Sequence, residues 1–371
     1  MSAAGEILSP TCFLPGGIAV RRVLVVLTGG TIAGAMRDGK DTAPDTGASE
    51  RLERLLEEFF DDRGLQVATA VPWGVPGLDS SDLNPQHWIR LTRIIIEELQ
   101  KGDLQGIIVL HGTDTMAFTA AWLSLVLEGI PLPVVLTGSQ LTLDYTPEDV
   151  QVNLRGAAQV VCAGYPGVWV YFNWKLIPGK RAHKARAIHP DAFTAVNGLP
   201  VFFSPEWGRE APKILLPELH WRPPQHLQNL LRKKETAETI STLARQLRWY
   251  LCMPGCAPHF TGEEKALVLL GFGAGNAPSE ILQALVSRFE NEPMKPMVIA
   301  CSQAEGDTKN PQAYKGVGIA SLAKKGFFVW GQGDASLEFV HALLWYAFLA
   351  APDSPASILG HYLKGYAPGN P

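Results

Sequence analysis

Apolar runs recur along the chain, and several stop abruptly at glycine, serine or threonine. "VLVVL" (23–27), "GIIVL" (106–110), "PLPVVL" (131–136) and "GVWVYFN" (167–173) are too short for helices and do not alternate with polar residues. Unbroken apolar runs bounded by turn residues are the pattern of strands buried on both faces. Between them lie helical stretches: an apolar one after "HGTDT", and "EDVQVNLRGAAQVVCAG" (148–164). Strands alternating with helices predict an α/β fold with a mainly parallel sheet.

The character changes after about Phe203. A Pro-rich stretch ("LHWRPPQH") and a polar helix ("LQNLLRKKETAETISTLARQLRWYL") separate the first unit from a second one. That second α/β unit opens at "KALVLLGFGAGNAPSEILQALVSRF" (265–289) and continues through "PMVIACSQ", "GFFVWG" and the apolar helix "SLEFVHALLWYAFLA". The expected division is an N-terminal extension over 1–21, a domain over 22–203, a linker or insertion with a helical segment over 204–264, and a domain over 265–371. No internal repeat or low-complexity segment interrupts it.

Composition agrees with this division. The 371 residues suffice for two cores, and 46% hydrophobic with 18% charged residues marks a globular chain. A net charge of −4 argues against a nucleic-acid partner. No apolar run reaches membrane-spanning length. The N-terminus has an acidic residue early and no basic region before its apolar part, which is not the pattern of a signal peptide. Five cysteines (Cys12, Cys162, Cys252, Cys256, Cys301) in no framework suit a reducing cytoplasm. "CMPGC" has a ligand-like spacing but no second pair nearby, so a plain loop is expected.

Three strand-like runs end in hydroxyl-rich loops: "TGGT", "HGTDT" and "TGSQ". In open parallel sheets ligands bind beyond the carboxyl ends of the strands. If the three strands are neighbours, Thr28, Thr31, Thr113, Thr115, Thr137 and Ser139 crowd one crevice. For any single loop, capping of the following helix is the plainer expectation. Asp114, between two threonines, is suited to capping or to holding an amine. His111 is expected to be a packed structural group. The basic run "GKRAHKARAIHPDAF" (179–193) reads as a solvated loop unless one lysine lies near Asp114, where it would assist a weak threonine nucleophile. "GFGAGNAP" (271–278) fits no full phosphate-binding pattern and predicts a tight turn that presents Asn276.

"TGGTIAG", "HGTDTM" and "LTGSQ" together resemble the bacterial-type L-asparaginase family. "DSSDLNPQHW", "EDVQVNL" and "HKARAIHPDAFTAVN" resemble its cytoplasmic type I branch. The resemblance runs over about 22–203 and 265–350. It implies a larger N-terminal and a smaller C-terminal domain, self-association as a homodimer or homotetramer, and no metal or cofactor. By position it assigns Thr31 as the nucleophile, with Thr28 structural. Thr113, Asp114 and Lys184 form the second catalytic group. Asp79, Ser80 and Ser81 hold the substrate's carboxylate and amine, and Asn276 reaches a neighbouring subunit's site. The implied reaction is two acyl transfers, releasing ammonia and then aspartate.

One departure stands out. The family carries a tyrosine soon after the first threonine. Here the corresponding segment has none, the first tyrosine of the chain is Tyr145, and Thr42 falls near the missing position. Threonine is too short to replace a phenol in place. Two other readings therefore stand beside asparagine hydrolysis: an amino-acid-binding protein with weakened turnover, and an amidohydrolase for another amide such as glutamine.

Overall fold

A computed structural model describes residues 21–37, 40–44, 46–75, 77–145, 147–204, 221–232, 237–256, 258–304 and 318–366. The strands are β1 (Arg21–Leu27), β2 (Gly34–Arg37), β3 (Lys40–Pro44), β4 (Leu65–Ala70), β5 (Leu104–Leu110), β6 (Pro133–Thr137), β7 (Gly167–Phe172) and β8 (Lys175–Pro178). They continue as β9 (Ala182–Lys184), β10 (Phe193–Ala195), β11 (Val201–Phe202), β12 (Leu247–Leu251), β13 (Ala266–Gly271), β14 (Met297–Ser302), β15 (Val329–Gly331) and β16 (Lys364–Tyr366). The first helices are α1 (Thr46–Asp61), α2 (Pro85–Leu99), α3 (Met116–Val126) and α4 (Val150–Ala163).

The large sheet has the order β11-β8-β7-β6-β5-β1-β4. β4, β1, β5, β6 and β7 run parallel; at one edge β8 turns back antiparallel to β7, and β11 pairs antiparallel to β8 and so resumes the common direction. Val23–Val26 and Ile107–Val109 are essentially inaccessible, as unbroken apolar strands covered on both faces must be. Leu52, Leu56 and Phe60 of α1 and Leu154 and Val161 of α4 form one core with the strands. Residues of α2 and α3 pack into the other.

From β1 the chain passes to β4 on one side, then to β5 on the other. β1 and β5 thus flank the topological switch point, where a crevice opens beyond the strands' carboxyl ends. β6 lies next to β5, so all three hydroxyl-rich loops sit on adjacent strands.

The second sheet has the order β12-β13-β14-β15-β16, parallel except for β16. Its first strand comes from Leu247–Leu251, inside the stretch expected to be linker. That stretch also holds helices Gln225–Arg232 and Ala237–Gln246. The apolar helix Leu337–Ala350 packs on α3 and joins the two units through one continuous core. At its centre Trp88 and Trp122 stack with ring centroids 5.2 Å apart, and Tyr346 meets Trp122 edge-on at 5.9 Å. Among the described residues no helix is long and apolar enough to cross a membrane.

Candidate active site

The glycines after β1 and β5 have a steric purpose. Gly30 has φ of +90°, and a Cβ there would sit 2.3 Å from Gly112 Cα. A Cβ on Gly112 would in turn lie 2.5 Å from Ser80 Oγ. Three segments, "TGGT", "HGTDT" and "GLDSS", therefore meet at close range, the first two backbone to backbone and the third against the second through the Ser80 side chain. Leu78 N donates to Thr28 O at 2.9 Å, and Thr115 Oγ1 donates to Ser80 O at 2.8 Å, tying the loop at 77–82 to both strand ends. Gly30→Ala should lower unfolding free energy by about 2 kcal/mol or more, combining an unfavourable φ with a backbone clash. A fall in the urea midpoint at unchanged slope checks this.

The threonines divide by role. Thr28 is buried, and its Oγ1 donates to Leu110 O at 2.9 Å, bridging β1 to β5. Thr137 bridges β6 to β7 in the same way, to Tyr171 O at 2.8 Å. Neither caps a helix. Thr115 stands at the N-cap of α3 but makes no capping bond, so the capping expectation fails in these loops because neighbouring carbonyls lie closer. Thr31 begins a single 3₁₀ turn at 31–33, is half-buried, and its hydroxyl donates to no partner among the described residues. Thr42 lies on β3, and its side chain is outside the described set.

Thr113 sits in a defined hydrogen-bond chain. Lys184 Nζ, on β9, donates to Thr113 Oγ1 at 2.8 Å and to Asp114 Oδ1 at 2.6 Å. Thr113 Oγ1 donates onward to Gln140 Oε1 at 2.9 Å. The Gln140 amide nitrogen donates to Ala187 O and His189 O, at 2.9 and 3.4 Å, which fixes the oxygen toward Thr113. Asp149 holds this turn by accepting from Gln140 N (2.9 Å) and Leu141 N (3.1 Å). Burial raises the Asp149 carboxyl above the ordinary range, against the pull of those two N–H groups. Gln140 is not among the residues expected from the sequence. The amide has no signature of its own beyond its place at the end of "TGSQ".

Asp79 caps the 3₁₀ turn at 80–82. Its Oδ1 accepts from Ser81 N at 2.9 Å and Ser81 Oγ at 2.8 Å, and these bonds hold its carboxyl below the usual range. Oδ2 makes no hydrogen bond among the described residues. Ser80 is buried and Ser81 exposed. Thr31, Thr113, Asp114, Lys184, Asp79, Ser80 and Ser81 thus lie on the segments that converge at the switch point. Asn276 does not join them within this chain. It closes the turn after β13, where Phe272 N donates to Asn276 O at 2.7 Å, and its Oδ1 accepts from Ala277 N at 3.1 Å.

The basic run is solvated only in part: residues 185–189 are exposed, while Ala182–Lys184 form β9 and several of the run's cations are paired. Arg181 pairs with Asp334, Lys184 with Asp114, and Arg186 with Asp191. His111 is structural, as expected. Its Nδ1 faces Gly112 O at 2.8 Å, and a carbonyl can only accept, so Nδ1 carries the proton. Nε2 then accepts from Thr119 Oγ1 at 2.9 Å, and Trp88 Nε1 donates to that same oxygen at 3.1 Å.

Burial pushes His111 down to about 4, and likewise His341, which is ringed by Trp88, Phe118 and Trp249. Both folded-state values lie below the unfolded value, so between them the unfolded chain binds more protons. Stability should therefore fall as pH drops from about 6.5 toward 4, by up to about 1.4 kcal/mol per pH unit for each histidine. Melting temperature against pH checks the sign, and His341→Phe should flatten the fall.

Comparison with known proteins bears on the whole arrangement. The asparaginase N-terminal family model matches residues 22–206. L-asparaginase 1 of Escherichia coli K12 is 34% identical over 268 residues, spanning 70% of this chain and 72% of that protein. The thermostable L-asparaginase from Thermococcus kodakarensis superposes with a TM-score of 0.68 at 25% identity, covering 94% of this chain and 98% of that one. A component of the glutamyl-tRNA(Gln) amidotransferase of Pyrococcus abyssi is 25% identical over 287 residues, 75% of this chain and 62% of that protein. With the E. coli protein matched at this identity over most of its length, and the same fold in the superposed structure, the chain belongs to the asparaginase family.

Proposed function

We propose that the chain is an amidohydrolase that converts L-asparagine and water to L-aspartate and ammonia. Thr31 Oγ attacks the side-chain amide carbon, and ammonia leaves with a transferred proton. Water then attacks the acyl-threonine ester and releases aspartate. Thr113, tuned by Lys184 and Asp114, positions or activates that water. Backbone N–H groups stabilise the oxyanion. Asp79, Ser80 and Ser81 hold the amino acid's own carboxylate and amine. Asn276 completes the site of a neighbouring copy in a homodimer or homotetramer.

The observation that carries this reading is the Lys184–Thr113–Gln140 chain, anchored beside the "TGGT" turn at the switch point. A threonine hydroxyl needs such help to take part in acyl transfer. Family membership and the resemblance to the type I branch support it. We also assign the chain to the cytoplasm and divide it at the boundaries given above, with 204–264 contributing β12 to the second sheet.

The test is ammonia and aspartate release from L-asparagine and L-glutamine by purified protein. Equal ammonia and aspartate from asparagine supports the proposal. No release from either, with aspartate still raising the melting temperature, favours the binding reading. Absence of both responses points to a larger amide, a reading that the amidotransferase similarity keeps open.

A further inference from the structure

We propose that Glu338, in the second unit, positions Lys184 through His183. This rests on the reading that Lys184 takes part in the reaction. Successive residues of a strand point to opposite faces. Lys184 of β9 turns to Thr113 and Asp114, so His183 turns away, toward helix Leu337–Ala350. There His183 Nδ1 and Glu338 Oε1 are 2.7 Å apart.

β9 has little support of its own. It is three residues long and pairs only with β10, in a two-stranded ribbon outside the large sheet. Such a ribbon is marginal alone, so tertiary anchors decide where it lies. Three anchors come from one short segment of the second unit. Ser336 Oγ donates to Lys180 O at 3.3 Å, Asp334 pairs with Arg181, and Glu338 meets His183.

These anchors differ in weight. Asp334 is 58% exposed, so solvent screens its pair with Arg181. Glu338 is 5% exposed, and its Oε2 has no hydrogen-bond partner among the described residues. Its buried carboxylate therefore bonds through Oε1 to His183, immediately before Lys184 in the chain. The helix N-terminus, capped by Ser336 Oγ accepting from Phe339 N at 3.1 Å, fixes where that carboxylate stands. A displaced β9 would move the lysine ammonium off Thr113 without touching the loop at 79–81.

The experiment is steady-state kinetics of Glu338→Ala, with aspartate affinity measured in parallel. The expected result is a kcat lowered about 10- to 100-fold, the usual consequence of a misplacement near 1 Å, with KM and aspartate Kd held. Glu338→Gln keeps an acceptor for His183 and should recover most of the rate. His183→Ala should lower kcat to a similar extent, with KM held, which tests the route through His183 even if Glu338→Ala folds poorly; adding Glu338→Ala to it should cost little more, and a His183→Ala rate near wild type overturns the proposal. A Glu338→Ala rate within about twofold of wild type, or a KM that rises in step as kcat falls, overturns the proposal. If wild-type protein releases no ammonia, the functional reading has failed by itself. A crystal structure of Glu338→Ala then decides the positioning: Lys184 Nζ beyond hydrogen-bond reach of Thr113 Oγ1 supports it, and an unchanged contact overturns it.

Discussion

Thr31→Ala should reduce ammonia release on the order of 10⁴-fold or more while leaving the melting temperature and aspartate binding near wild type. The two halves of this expectation come from different observations. Loss of a nucleophile stops covalent catalysis, and the residual rate comes only from binding and oxyanion stabilisation. The structural cost is small because the Thr31 hydroxyl donates to no partner among the described residues and the side chain is half-buried. Thr28 gives the internal contrast. Its hydroxyl bridges β1 to Leu110 O in a buried position, so Thr28→Val should cost stability instead. Thr31→Ser retains a hydroxyl at the same place and should keep measurable turnover. The assay pairs ammonia release with thermal shift against aspartate. A Thr31→Ala variant with near-normal turnover would sink the nucleophile assignment, and the absent tyrosine would then need no substitute.

The apolar runs show why part of this is legible in the chain. Val23–Leu27 and Gly106–Leu110 are buried on both faces, so each reads as strand from composition alone. Their adjacency is a different matter. β5 lies between β1 and β6 because the chain reverses its direction of travel after β4, and nothing in local sequence encodes that. The glycines read as turns, but their second purpose appears only when Gly30 is seen against Gly112, and Gly112 against Ser80. β12 is hidden for the opposite reason. It is an edge strand with exposed Arg248 and Leu251, and it follows a polar helix without a break. Lys184 is reached through family resemblance. Among several basic residues in its run, only packing distinguishes the one whose ammonium meets Thr113.

Lys184→Met should lower kcat by about 10²–10⁴-fold, the range for loss of a positioned acid–base group, with little change in melting temperature. Methionine matches the apolar stem of lysine, ends one atom short and removes both hydrogen bonds, to Thr113 at 2.8 Å and to Asp114 at 2.6 Å. The ion pair itself contributes little to stability, since Asp114 is 64% exposed and solvent screens it. A large kinetic effect with a small thermal one would therefore separate a chemical role from a structural one. The time course sharpens this. Thr31 remains intact in the variant, so its attack still expels ammonia, while the water step loses the group that tunes Thr113. Lys184→Met should accordingly show a burst of about one ammonia per active site followed by a slow phase. Lys184→Arg should fail to restore the rate, because a guanidinium is larger than the ammonium, holds its donors in a fixed plane and keeps its proton, so it cannot serve as an acid–base group at Thr113. A Lys184→Met variant with full rate would return the lysine to the surface loop that its basic neighbours suggested. A slow rate with no burst would move its action to the first acyl transfer, placing the Lys184–Thr113 pair behind the attack of Thr31 and not behind water.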